Sequence, residues 1–279
     1  SCGHQIKMMA PQYVKPYVQR DKSDARDAAG IAEAVVRPAV PAVRIRTRAE
    51  QELQSLHRVR ELWQKQRIAT TNQLRGLLAE FGEVMSPGAK KLREQVRAWQ
   101  GRAADGMLRQ LVEDLLTHWS ALETQLSALE ARIQVAHRAS TESRRLDTIP
   151  GVGVLTATAT VAAFGNASTF ATARRFACGL GLTPREHSSG GREVKLGISK
   201  RGNSYVRRLL IHGARAVVKV RMSNPKYAND WVVKLAQRRG HNIAVVALAA
   251  KNARRMWAVL RSGQAFDANY VHPVAGAAD

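Results

Sequence analysis

Residues 108–136 read LRQLVEDLLTHWSALETQLSALEARIQVA. Within them Leu108, Leu111, Leu115, Trp119, Leu122, Leu126, Leu129, Ile133 and Ala136 follow one another at steps of three or four. Such steps put every one of these side chains on a single helical stripe. The near-heptad spacing keeps the stripe facing one partner helix, so the run predicts a long helical arm. Two readings share this pattern: a helix packed on its own chain, and a coiled coil that also joins two chains. Upstream, Thr47 to about Phe81 predicts a second long helix carrying Leu53, Leu56, Leu62, Trp63, Leu74, Leu77 and Leu78. Gly82 and Ser86-Pro87-Gly88 punctuate it.

Working outward, the last 130 or so residues read as a compact, mainly helical domain. Its helix candidates are Val154–Phe164, Thr172–Cys178, Ser204–Val220, Tyr227–Arg239 and Asn242–Arg261. Between the second and third lies an irregular stretch, Gly179 to Gly202, and loops of such length are usually functional. Towards the other end, residues 5–9 read as a short strand, followed by a polar connection with Pro11 and Pro16. A helix then begins near Ser23 and stops at Arg37-Pro38, and Pro38 and Pro41 bracket a linker.

The 279 residues include 44 Lys+Arg against 22 Asp+Glu, a formal net charge of +22. Hydrophobic residues make up 45%, enough for a core, which excludes wholesale disorder. No apolar run approaches the roughly 18 to 20 residues that span a bilayer. The longest, Ile243 to Ala250, stops at Lys251, so the chain reads as soluble, with no membrane partner. Cys2 and Cys178 cannot build a disulfide framework, which fits a reducing cytoplasm. The opening Ser1-Cys2-Gly3-His4-Gln5 has neither a signal peptide nor an initiator Met, and reads as the start of a fragment. Residues 1–143 carry 22 basic and 16 acidic side chains, while residues 144–279 carry 22 basic and 6 acidic. A solubility charge has no reason to concentrate in one half, whereas a polyanion-binding face does, and nucleic acid is the favoured partner.

Three motifs can carry chemistry. In Ile149-Pro150-Gly151-Val152-Gly153, the glycines allow close approach to a phosphate, and the helix that follows offers free N–H groups. The turn reads as the hairpin of a helix-hairpin-helix element, which grips DNA backbones without reading bases, and Arg144, Arg145, Arg174 and Arg175 are read as its adjacent cations. In Lys22-Ser23-Asp24-Ala25-Arg26-Asp27-Ala28, Ser23 is an N-cap and Asp24 and Asp27 face one way. That pair can share a Mg²⁺ with a phosphate oxygen, although acids at a helix start also simply complement its dipole. The third is Gly181-Leu182-Thr183-Pro184-Arg185-Glu186-His187-Ser188-Ser189-Gly190-Gly191, continuing to Gly197-Ile198-Ser199-Lys200-Arg201-Gly202-Asn203. A serine beside two glycines is accessible, and Arg185, Arg192, Lys200 and Arg201 can neutralise a phosphate. The next helix adds Arg207, Arg208 and Arg215 for backbone contacts.

Together with Arg207-Arg208-Leu209-Leu210-Ile211-His212-Gly213-Ala214, these segments in this order resemble the IS110-type transposase/recombinase family, in its IS1111-like branch. The resemblance covers essentially the whole chain. It implies an N-terminal RuvC-like, RNase H-fold domain with a Mg²⁺-binding DEDD carboxylate set, then a coiled-coil arm, then a transposase domain with a nucleophilic serine. By motif, Asp24 and Asp27 match the last two acids of the set, and Ser189 matches the nucleophile, ahead of Ser188. The family's first Asp and its Glu have no counterpart here, so the chain reads as N-terminally truncated. On this pattern residues 1–40 are the remnant of the RuvC-like domain, 41–143 the arm and 144–279 the transposase domain. The remnant is expected to be poorly ordered or packed on something else, because one strand and one helix cannot bury a sheet face. The resemblance also implies double-stranded DNA as substrate, a structured guide RNA in some members, and a homo-oligomer, dimer or tetramer, whose active site joins serine and carboxylates from different subunits. The rival expectation is a catalytically inactive chain that binds nucleic acid and oligomerises.

Overall fold

The computed structural model of the chain describes residues 3, 6–18, 23–40, 42–188 and 194–269, and among these helix dominates. A two-residue strand, β1 (Met8–Met9), precedes a one-turn helix, α1 (Pro11–Val14), a 3-10 turn over Lys15–Tyr17, and α2 (Asp24–Val36). Ser23 caps α2 by accepting the Arg26 N–H at 3.3 Å. The helix ends at Arg37 because the residue before a proline is pushed out of helical geometry. A second short strand, β2 (Ala42–Val43), pairs antiparallel with β1, Met8 opposite Val43 and Met9 opposite Ala42. The strand expected over residues 5–9 is thus shorter, and it takes its partner from beyond Pro38. Gly30 lets α2 lie close to the preceding turn, since a Cβ there would meet Val18 Cγ2 at 2.8 Å. With Ala34 and Val40 also buried, the described N-terminal residues pack on one another.

The arm is a helical hairpin of α3 (Arg48–Glu80) and α5 (Met107–Ala139), with α4 (Ala89–Gln100) at its tip. A reciprocal cap starts α3: the Glu50 N–H donates to Thr47 Oγ1 and the Thr47 N–H donates to Glu50 Oε2. The two long helices run antiparallel. Arg60 meets Glu130 near one end, and Leu74 and Leu78 share a cluster with Val112 and Trp119 near the other. Trp119, Leu122, Leu126, Leu129 and Ile133 are buried, and α3 is the main helix on which α5 packs. The apolar stripe therefore faces a helix of its own chain, at about 1.5–3 kcal/mol of stabilisation for each fully buried Leu or Ile. Leu111 departs from the stripe and is exposed. Helix α4, which the periodicity did not reveal, adds Leu92, Val96 and Trp99 to the tip cluster. There Arg93 stands 4.4 Å over the Trp119 ring while pairing with Glu123.

After α6 (Thr141–Asp147), the C-terminal domain comprises α7 (Val154–Phe164), α8 (Ala173–Gly179), β3 (Pro184–Glu186), β4 (Lys195–Ile198), α9 (Ser204–Met222), α10 (Trp231–Arg239) and α11 (His241–Ser262). Helix α7 coincides with its expected span. The candidate Tyr227–Arg239 divides instead into a 3-10 turn, Pro225–Tyr227, and α10, because Asp230 caps the second piece by accepting the Val232 N–H. The stretch read as irregular holds an antiparallel hairpin, β3–β4. Helix α11 packs on α6, α8, α9 and α10 and supplies Leu248, Ala253 and Met256 to the core. Helix α7 is packed by α6 and α9 on one side and by α3 and α5 on another. Its sequence, VLTATATVAAF, suits burial all round: small residues let neighbours approach, and the Thr158 and Thr160 hydroxyls donate to carbonyls within the helix.

Candidate functional site

The Pro-Gly-x-Gly turn joins α6 to α7. Gly151 has φ +87°, a left-handed conformation that favours glycine, and it lies tightly against α9. A Cβ on Gly213 would come within 1.9 Å of the Gly151 carbonyl oxygen. Buried Asn252 of α11 donates to the Pro150 carbonyl at 2.8 Å. The close approach that these glycines permit is thus made to the protein's own helices. Gly153, by contrast, has open space around it and starts α7 with no side-chain cap, so first-turn N–H groups remain for a ligand.

The serine loop is held at its foot. Pro184 pairs with Ile198 and Glu186 with Lys195, and the His187 N–H donates to the Val194 carbonyl. Below the strands, Gly181 and Gly202 allow two segments to pass almost in contact: a Cβ on Gly202 would lie 2.0 Å from the Gly179 oxygen. Arg207 of α9 clamps both, donating to the Leu180 and Arg201 carbonyls. Ser189 and Arg192, with Gly190 and Gly191, lie outside the described residues, as does Lys22 beside the acid pair. Ser188 donates to Glu186 at 3.3 Å. Lys200 and Arg201 are exposed at the loop's return, and Lys200 has φ +56°.

The positive groups fall into two sets. Arg207 serves the clamp, and Arg208 pairs with Glu61 of the arm at 2.6 Å while its guanidinium lies 5.7 Å from the Tyr205 ring. Arg185 instead shares a groove of about 400 Å³ with Arg174, Arg175, Thr172, Cys178, Thr183 and Glu186. The groove lining the Pro-Gly-x-Gly turn is a different one, formed with α9 and Tyr227. Arg174 and Arg175 are therefore part of the groove beside β3.

Asp24 and Asp27 sit in the first turn of α2. Helix α2 packs chiefly on α1 and the 3-10 turn, and has no substantial packing on β3, β4 or α9 among the described residues. No group of three or more His, Cys, Asp or Glu forms a ligand set among the described residues. Two hard oxygen donors suit one Mg²⁺ whose other ligands are phosphate and water, and do not suit a two-metal centre.

A buried polar junction, not foreseen from sequence, ties the arm to the domain. His57 of α3 is only 3% exposed. Its Nε2 lies 3.0 Å from Thr158 Oγ1 and its Nδ1 3.1 Å from the Tyr205 hydroxyl. The Thr158 hydroxyl donates to the Val154 carbonyl at 2.6 Å, so it accepts from His57, which places the imidazole proton on Nε2. Nδ1 then accepts from Tyr205. Burial, with the positive Arg60 nearby, pushes the His57 pKa down to about 4, so the ring is neutral. Burial likewise raises the Tyr205 phenol, keeping it a donor. No helix among the described residues is long and apolar enough to cross a membrane.

Residues 143–230 match the family described as "Transposase IS116/IS110/IS902 family", and residues 2–82 match a DEDD transposase family of the IS110 group. The chain is 42% identical to a probable family 20 transposase of Pseudomonas aeruginosa, covering 92% of this chain and 78% of that one. It is 39% identical to the transposase for insertion sequence element IS1111A of Coxiella burnetii, over 92% and 72% of the two chains. With the transposase for insertion sequence element IS1328 of Yersinia enterocolitica the identity is 35%, over 95% and 79%.

Proposed function

Because the chain belongs to the IS116/IS110/IS902 family of transposases, we propose that it cuts and rejoins DNA at the loop between β3 and β4, with Ser189 as nucleophile. Ser189 Oγ attacks the phosphorus of a strand, forming a phosphoserine ester as the P–O bond to the leaving strand breaks. The leaving oxygen takes up the proton that the serine gives up. Attack on the ester by a strand hydroxyl reverses these steps and rejoins DNA. Arg185, Lys200, Arg201 and Arg192 neutralise the phosphate as charge develops on its oxygens. Arg207 and Arg208 act behind them, holding the foot of the loop and the arm. Gly151 and Gly153 shape the turn that meets the DNA backbone, a helix-hairpin-helix role supported by the uncapped start of α7.

The observation that carries this reading is the clamped foot of the loop, where Arg207 holds the Leu180 and Arg201 carbonyls and the return strand leads on to exposed Lys200 and Arg201. A bound Mg²⁺, held by Asp24 and Asp27, would offset phosphate charge. The packing of α2 chiefly on α1 and the 3-10 turn accords with a composite site in a homo-oligomer, with serine from one copy and the acid pair from another. The test is capture of the covalent protein–DNA adduct on a denaturing gel, with Ser188→Ala as the comparison. Ser189→Ala should abolish the adduct, and an undiminished adduct would remove Ser189 from the chemistry. A second reading, binding and oligomerisation without cleavage, is favoured by the limited acid set among the described residues. Mg²⁺-dependent cleavage by the 279-residue chain would exclude it.

A further inference from the structure

We infer that the groove between α8 and β3 is a binding site for the sugar-phosphate backbone of DNA, with Arg174, Arg175 and Arg185 as its phosphate ligands. This rests on the reading of the chain as a DNA-acting enzyme, and it adds where the strand lies. The groove is built on firm elements. Phe176 anchors α8 in the core, in edge-to-face contact with Phe164 and Phe170, and Thr172 caps the helix by accepting the Arg175 N–H. β3 is fixed by its pairing with β4.

In the arm, arginines meet carboxylates: Arg60 with Glu130, Arg93 with Glu123, Arg102 with Glu83. In the groove, three guanidinium groups line one concavity, and none has a carboxylate or carbonyl partner among the described residues. The single acid of the lining, Glu186, accepts the Ser188 hydroxyl. Like charges gathered on rigid elements repel, and a polyanion laid across them relieves that repulsion while releasing its own counterions. Guanidinium forks match phosphate oxygens. The site's place in the chain selects DNA over a free anion: Arg185 stands on β3, four residues before Ser189 in the sequence, so the groove belongs to the strand that leads into the loop of the proposed nucleophile. Contacts of this kind read no bases, and the site is sequence-independent.

Cys178, exposed on the groove wall, gives a direct reporter. In a Cys2→Ser background, alkylation of Cys178 by N-ethylmaleimide is followed with and without a saturating duplex of arbitrary sequence, its occupancy set by fluorescence anisotropy. We expect at least fivefold protection. The triple variant Arg174→Gln/Arg175→Gln/Arg185→Gln should lose at least tenfold in affinity. Its log–log salt dependence should flatten by about 2 to 3, at roughly 0.9 per phosphate contact. A charge-matched arm variant, Arg48→Gln/Lys90→Gln/Arg102→Gln, should lose far less. A bound duplex that leaves Cys178 alkylation unchanged, or equal losses in the two triple variants, would overturn the groove while leaving DNA binding intact. Protection by an RNA of equal length but not by DNA would overturn the choice of ligand. Absence of any duplex binding would sink the groove and the proposed function together.

Discussion

Acidification should loosen the joint between arm and domain, and the size of the effect follows from His57. The pKa of the ring falls from 6.5 to about 4 on folding, with burial as the main cause. In the unfolded chain His57 binds a proton below pH 6.5; in the folded chain it resists until about pH 4. Stability from this residue is therefore complete above 6.5, erodes as pH falls through the interval, and levels off below 4. The limiting loss is about 3 kcal/mol, and the loss between pH 7 and pH 5 is about 2 kcal/mol. The geometry explains the sign, since a protonated Nδ1 would point a donor at a tyrosine hydroxyl that is itself donating. The assay is urea unfolding of the wild type and of His57→Gln across this pH range. Carboxylates titrate in both proteins, so the difference between the two pH profiles isolates the ring. The wild type should lose about 2 kcal/mol more than the variant on going from pH 7 to pH 5. Parallel profiles, or a His57 resonance titrating near 6.5, would refute the reasoning.

Three further outcomes are expected. Gly213→Ala should cost about 3 kcal/mol or more, measured by denaturation, because the added methyl meets the Gly151 backbone and not a flexible side chain. Gly76→Ala, in α3 with open space around it, should instead gain about 1 kcal/mol. If the active site is composite, a mixture of Ser189→Ala with Asp24→Asn/Asp27→Asn should regain strand transfer that neither shows alone. A mixture as inert as its components, with both variants still bound to DNA, would exclude assembly of the site from two copies.

The long elements were legible because their signals are local. Thr47 and Glu50 announce a capping box, and the stripe from Leu108 to Ala136 repeats often enough to fix a period. Helix α4 escaped because Leu92, Val96 and Trp99 are few among charged residues, and Gly88 opens the helix without a side-chain cap. The β3–β4 hairpin escaped because strands of three and four residues, with Pro184 in one and Gly197 in the other, offer no alternation to count. The partner of the α5 stripe could not be chosen from the stripe itself, since a helix of the same chain and one from a second copy demand the same pattern. At the site, Ser23 as a cap and the glycine-rich loop were readable. The assignment of Arg207 and Arg208 to internal bonds was not, nor was the burial of His57, whose partners Thr158 and Tyr205 lie 101 and 148 residues away. A polar residue on an otherwise charged helix looks solvated until the fold brings another element over it.

What joins these features is the first turn of α9. Asn203 caps the helix by accepting the Val206 N–H, Tyr205 donates to His57, Arg207 clamps the foot of the serine loop, and Arg208 pairs with Glu61. Neighbouring residues on one turn thus face the arm and the loop in alternation. Swinging the arm away from the domain would break the His57–Tyr205 bond and leave polar groups unpaired in a buried place, at about 1–3 kcal/mol each. The Arg208 pair with Glu61 would have to separate too, although its partly exposed position makes that a smaller loss. The same displacement would drag the turn that holds Leu180 and Arg201. A force applied along the arm is therefore felt at the loop foot through Tyr205, Arg207 and Arg208 of one short stretch of α9, with no intervening flexible segment.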